Sequence, residues 1–522
     1  MPFNRADMQN PILDQPFSWK PQKMTYLGLQ IPSEITKTYQ LNYTPLLKKV
    51  GEELDRWRDL PISLIGRVNC VKMNILPKFL YLFQTLPFPI PKVLFKQLNR
   101  KVFSFLWKGK PPRVKLSTLC KPHSEGGLTL PDFQLYYWAS QLKAVWVWQD
   151  TTTTSSPSWR QIEEECLTPA TWANIRYRCQ PKALLGLINN PFIKNTLNIW
   201  IEVCKQTEGL KSIYEQTPFY NNPILSKALR DGITFSWFNK GIKTFGNLYK
   251  EGELLSFQQL ASHFQIPQTH FFKYLQVRHY MATQQGGRIQ PMSKPITDKL
   301  WLERKGVKGF ISYMYSGLQA LLGNDEPLKV CMKWHDDLGL IFEDEKWGKL
   351  FIDAQRLSFN TRHKLMQFNI LHRVYFTPER LYKINSKYSK FCPRCKTGVG
   401  TLMHMFLSCP ELSDYWKNII QILSQVTNMT VPLDPSLILL GDDSVLPVNI
   451  CSKTRFIKLA VIAANKCTAI IWKSVTPPSK QMWLKERSSY IPSEKITYNL
   501  RNKPFEFTDV WGDFQQFLET SP

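Results

Sequence analysis

The chain is short of acid. It carries 41 aspartates and glutamates against 67 lysines and arginines, a formal net charge of +26 over 522 residues. Such an excess speaks to partners rather than fold, and it points to a polyanion, either nucleic acid or an acidic membrane surface. Long hydrophobic runs are also missing. The two most apolar stretches, Ile75 to Pro91 and Leu459 to Trp472, are broken by Lys78, Gln84 and prolines in one and by Asn465 and Lys466 in the other. Neither approaches the roughly 20 apolar residues a membrane span needs, so no membrane is expected as a partner. Met1 to Trp19 lacks a basic start followed by an unbroken apolar run, which argues against a secretory signal. Cysteine is sparse: 11 residues in this length exclude a disulfide scaffold. An intracellular setting, cytoplasmic or nuclear, is therefore expected. Gly 24 and Pro 36 follow no short period, which excludes collagen-like repeats. The phosphate-cradling Walker loop, G-x-S-x-G and H-E-x-x-H are all absent, and no small-molecule substrate is expected.

What is present is ordinary for a folded chain: 43% hydrophobic and 21% charged residues. The length suggests about three or four domains. Leu46, Leu47, Val50, Leu54 and Trp57 fall on one helical face, and Val68, Val71 and Ile75 continue a helical pattern as far as Pro77. Phe95, Leu98, Val102 and Phe105 mark another helix, closed by Pro111-Pro112, and Leu135 to Trp148 reads as one more. Thr25 to Ile31 is the best strand candidate, and Thr151 to Pro157 is the clearest linker-like run. The expected fold class is mainly α, in several lobes.

The charge is uneven. Pro61 to Leu130 holds twelve basic residues and a single acid, Glu125. Its densest part contains Lys92, Lys96, Arg100, Lys101, Lys108, Lys110, Arg113 and Lys115. Lys92, Lys96 and Arg100 recur every fourth residue, so they share one helical stripe, suited to following a phosphate backbone. A solvated basic face is the plainer alternative, but one acid in seventy residues neutralises little of it. A second cluster, Ile370 to Ser408, contains Arg373, Arg380, Lys383, Lys387, Lys390, Arg394 and Lys396 against Glu379 alone. Tyr375, Phe376, Tyr382, Tyr388 and Phe391 are interleaved with these cations, with Phe376 the one expected in the core. Aromatic stacking on bases combined with cationic contacts to phosphates is the chemistry of single-strand binding.

Inside that cluster Cys392, Cys395, His404 and Cys409 follow the spacing C-x2-C-x8-H-x4-C. Three thiolates and an imidazole can close a tetrahedral zinc site, structural because no position stays open for water. Gly398 and Gly400 would allow the chain to return, and His404 and Cys409 would sit on a short helix or turn. The alternatives are a chance grouping of thiols near a histidine, or a fold that keeps the pattern without metal.

Two acidic pairs, Asp336-Asp337 in KWHDDLGL and Asp442-Asp443 in LLGDDSV, echo the carboxylates of two-metal chemistry. Neither has a convincing strand–carboxylate–strand partner, so both read as cap or turn acids, and no catalytic metal is expected.

Several motifs together resemble one family, the reverse-transcriptase polyprotein of vertebrate LINE-type non-LTR retrotransposons. They are Tyr26 to Ile31 (YLGLQI), NYTPLLKKV from Asn42, Gly66 to Pro87 (GRVNCVKMNILPKFLYLFQTLP), FLWKGKPPRV, Gly126 to Ala139 (GGLTLPDFQLYYWA), the WHDDLG stretch and the segment Cys392 to Cys409. The match is collinear over essentially the whole chain. It implies residues 1–34 as a palm remnant with a primer-grip-like hairpin, 35–105 as a helical thumb, 106–300 as a helical wrist, and 301–522 as a helical C-terminal domain holding a CCHC segment at 392–409. Carried over by position, Tyr26, Leu27 and Gly28 would touch the primer, and Cys392, Cys395, His404 and Cys409 would form the knuckle. The family's endonuclease and catalytic palm lie upstream of these motifs. The expectation is therefore a nucleic-acid-binding fragment, inactive alone, whose partner is RNA, an RNA–DNA hybrid or a DNA duplex. Alternatives are a part of a longer active RNA-directed DNA polymerase, or a domesticated protein-interaction scaffold.

Overall fold

A computed structural model describes residues 23–149, 158–166, 185–186, 188–207, 215, 217–220, 231–285, 308–323, 328–447 and 450–520. The linker-like run Thr151 to Pro157 lies outside the described residues. Among these the protein is mainly helical, with two small antiparallel sheets of two strands each. It divides into two compact units, one from residues 1–52, 74–99 and 132–324, the other from 53–73, 100–131 and 325–522.

In the first unit the expected strand is a hairpin. Lys23–Tyr26 pairs with Leu29–Pro32, and Leu27 and Gly28 form the two-residue turn with φ of +48° and +81°. Positive φ at both turn positions matches the twist of tight hairpins, where glycine is free and leucine is not. Asn42 holds the hairpin to the next helix, accepting from Gln30 N (2.9 Å) and donating to Gln30 O (2.8 Å). That helix, Thr38–Trp57, starts well before Leu46 and carries Pro45 inside it. The neighbouring Tyr43 is fully buried, its hydroxyl reaching Leu82 O and Leu86 O, and it stacks on Phe83. This tertiary anchoring outweighs the one backbone hydrogen bond that Pro45 removes. Phe83, Phe95 and Tyr137 complete an aromatic core. A separate small core gathers Phe219, Trp237, Phe245 and Leu260.

The helical pattern expected to stop at Pro77 runs through it. Leu64–Cys70 leads into a π-helical stretch, Val71–Ile75, and then Leu76–Thr85. Pro77 falls in the first turn of the new segment, where its missing N–H would be unpaired in any case, and the widened π turn takes up the mismatch. The Lys92–Trp107 helix ends just short of the proline pair, with Lys108 and Gly109 in left-handed conformation. Phe133–Gln149 follows the expected helix closely, capped by Asp132, whose carboxylate accepts from Gln134 N and Leu135 N.

In the second unit the central element is Cys451–Ile470, buried on nearly every side. It packs with Asp344–Arg356, Thr361–Leu371, Ser413–Thr427 and the helices from Lys480 to Thr520 in one core that also contains Cys392 and Cys409. Asn465 and Lys466, which break the apolar run, have partners here. Asn465 donates to Ile438 O (2.6 Å), and Lys466 pairs with Glu486 and Tyr490. Among the described residues no helix is long and apolar enough to cross a membrane.

Candidate metal centre and the basic segment beside it

Backbone geometry brings the four expected ligands together before any side chain is considered. Lys396 N donates to Cys392 O (2.9 Å), Cys392 N to Gly398 O (2.8 Å), and Gly400 N to Lys390 O (2.9 Å). The result is a tight knuckle that returns the chain over itself. Its far side is a π-helical turn, His404–Ser408, as the short helix or turn expected there. Gly398 is required for contact rather than for the turn alone: a β-carbon there would lie 2.5 Å from His404 Cε1. A β-carbon on Gly400 would strike the Pro378 ring at 2.6 Å, so this glycine lets the knuckle press on the Pro378–Ile384 helix.

The ligand atoms of Cys392, Cys395, His404 and Cys409 all lie within 4.8 Å of one another, a group that can hold a metal ion. Cys392 Sγ and Cys409 Sγ are 3.8 Å apart, and Cys395 Sγ and His404 Nε2 are 3.3 Å apart. A tetrahedral zinc with ordinary zinc–sulfur and zinc–nitrogen bonds would separate its ligands by about 3.8 and 3.6 Å. The donor set and its spacing therefore fit such an ion. The thiols are not alike. Burial acts to raise the pKa of Cys395, but N–H groups of Gly398 and Thr397, the Thr397 hydroxyl and His404 bring it down to about 6. Burial pushes Cys409 up to about 11, reinforced by Cys392 and Cys395. These donors favour the thiolate form of Cys395, the form that binds a metal ion.

The basic residues divide into displayed and internal sets. Lys92, Lys96 and Arg100 are exposed along one stripe of their helix, opposite the buried Leu94, Phe95, Leu98 and Val102. Lys101 is half-buried, while Lys108, Lys110, Arg113 and Lys115 are exposed. Arg67, counted within the same basic run, is internal, with its guanidinium bonded to the carbonyls of Phe105, Arg58, Leu60 and Ile62. In the second cluster Lys383 and Lys396 are exposed, with Tyr382, Tyr388 and Phe391 exposed among them. Lys383 bonds back to Glu379 one helical turn earlier. Phe376 is only partly buried, with the Arg113 guanidinium 4.7 Å and that of Arg380 5.0 Å from its centroid. One residue from each basic cluster thus meets at a single ring.

Arg373 and Arg394 face inward. Arg373 pairs with Asp337 and lies 4.2 Å over Trp334. Arg394 is 5% exposed and donates to Met405 O (2.8 Å). Expected at the phosphate backbone, both have their guanidinium groups engaged inside the fold, because the helices around them supply a carboxylate, a ring and a carbonyl at the right places. On the hairpin Tyr26 and Leu27 are exposed, and Tyr81 donates its hydroxyl to Leu27 O, which fixes the tip.

Each acidic pair holds at least one carboxylate in an ion pair, Asp337 with Arg373 in the first. Asp336-Asp337 ends the Lys329–Leu338 helix, where Trp334 donates to Leu371 O and His335 Nε2 accepts from Phe342 N and Trp347 Nε1. Asp442 pairs with Lys346 (2.6 Å), and Asp443 with Lys349 (2.9 Å) and Lys458 (2.8 Å). Burial alone would raise both carboxyls, yet these lysines hold them below the usual carboxylate range. The linking role of His335 had no signal in the sequence, because its partners lie seven and twelve residues on. No protein-family model matches the chain.

Proposed function

We propose that this chain is the nucleic-acid-holding part of a LINE-type retrotransposon reverse transcriptase, binding RNA or a template–primer duplex without performing catalysis itself. The observation that carries the reading is the segment around the Cys/His knuckle. Tyr382, Tyr388 and Phe391 stand in solvent among Lys383, Lys387, Lys390 and Lys396. Exposed rings are costly to leave in water without a use, and alternation with cations is the arrangement that stacks bases while neutralising phosphates. The resemblance of the collinear motifs supports reading this segment as the family's RNA-contacting region. The knuckle holds structural zinc, with Cys392, Cys395, His404 and Cys409 as its four ligands, and so keeps the segment rigid. On the same reading the Lys92, Lys96 and Arg100 stripe belongs to a thumb and the Tyr26-Leu27-Gly28 tip to a primer grip.

The test is fluorescence polarisation with labelled single-stranded RNA and with a duplex, over a range of salt. Binding that weakens with salt, together with a loss of about 10-fold or more on replacing Tyr388 and Phe391 by alanine, is expected at roughly 1–3 kcal/mol per stacked base. Salt-independent association, or no binding at low salt, overturns the reading.

A further inference from the structure

Arg394 sits between two of the candidate metal ligands in sequence, Cys392-Pro393-Arg394-Cys395, and the fold turns it inward. One guanidinium nitrogen donates to Met405 O, next to the ligand His404. Its Nε and Nη2 are buried and have no hydrogen-bond partner among the described residues. A buried cation with two idle donors is costly unless negative charge lies close by. The thiols at hand are those of Cys392 and Cys395, on either side of it in the chain, and of Cys409, whose Sγ is 3.8 Å from that of Cys392.

Three thiolates and a neutral imidazole around a divalent cation leave one net negative charge, largely removed from water. We propose that Arg394 is the built-in counter-charge of this centre, a positioning residue that neutralises the three-thiolate site and links it to the π-helical turn carrying His404. The inference rests on the metal reading given above and goes beyond it. It makes an arginine inside the C-x2-C loop part of the metal chemistry rather than of nucleic-acid contact.

The test measures zinc affinity of the full chain by competition with a chromophoric chelator, and cobalt spectra as a report on the ligand set. Arg394→Met is expected to weaken zinc about 10- to 100-fold, the usual range for groups outside the ligand shell, with a three-sulfur cobalt spectrum retained. Cys395→His, at the least buried of the cysteines, removes one thiolate and leaves a neutral centre. In that background Arg394→Met should cost no more than about 3-fold, because no net charge remains to be balanced. Equal losses in both backgrounds, or none in the three-thiolate protein, overturn the proposal. If Arg394→Met does not fold, Arg394→Lys decides. Retained charge should keep affinity within about 3-fold, and a loss above 10-fold counts against charge compensation. A wild-type chain that takes up no zinc removes the metal reading itself, whereas a zinc-loaded chain indifferent to Arg394 removes only this inference.

Discussion

His372 and Gly126, 246 residues apart, are joined by a 2.7 Å hydrogen bond from imidazole Nε2 to the glycine carbonyl. A carbonyl can only accept, so this ring is protonated on Nε2 and its proton is committed to the fold. A side chain at Gly126 would be strained: its φ is +78°, and a β-carbon would lie 2.8 Å from Leu328 Cδ1. The imidazole also lies against Phe351 and Phe368.

That environment predicts acid sensitivity. Burial pulls the pKa of His372 down to about 4, and burial with Arg487 and Lys466 pulls His363 down to about 3. Unfolded, both titrate near 6.5. Above that pH neither state is charged and they contribute no slope. Between about 6.5 and 4 the unfolded chain binds protons that the folded one refuses, so stability falls with pH by up to about 1.4 kcal/mol per unit for each histidine. Urea midpoints measured from pH 7 to 4.5 should show this slope. His372→Gln, which keeps a donor toward Gly126 O, should reduce it by about one proton. An unchanged slope would show that His372 titrates normally.

Removing metal should loosen the second unit's core, because Cys392 and Cys409 belong to it. A ligand present at a thousand times its dissociation constant stabilises by about 4 kcal/mol, so a strong chelator should lower the unfolding temperature measurably. A thermal melt followed by circular dichroism with and without chelator measures the shift. No change in melting on chelation would count against a structural ion.

Gly398→Ala should disable the centre without touching a ligand, since the added carbon meets His404 Cε1 at 2.5 Å. Zinc affinity is expected to fall about 10-fold or more, within the range seen when a ligand loses its orientation. Gly232→Ala, where nothing lies within 4 Å, serves as the control. Equal affinities in the two variants would mean that His404 is not a ligand.

The Lys92, Lys96 and Arg100 stripe should act through charge alone. Changing all three to glutamine is expected to reduce the slope of log K against log salt by about 2 to 3 for a duplex, at roughly 0.9 per phosphate contact. Glutamine at Arg373, which is paired with Asp337, should leave that slope unchanged and lower stability instead. The reverse pattern would reassign both.

Local patterning made much of the fold readable. The helices at Lys92–Trp107 and Phe133–Gln149 follow from apolar spacing, and the four candidate ligands were visible because a chelating loop needs its donors close in sequence. Pro77 misled for a physical reason: a π turn accommodates it inside the helical run.

The opening shortage of acid was likewise only half legible. Sequence by itself determined how many cations the chain carries and where they cluster, since charge and spacing are local properties. Tertiary structure alone decided which of them face water. Lys92, Lys96 and Arg100 are displayed because their helix buries its other face. Arg67 and Arg394 are internal, and Arg373 largely covered, because folding brings carbonyls to the first two and the Asp337 carboxylate to the third. A guanidinium is buried only where such partners offset the loss of water, and only the folded chain assembles them.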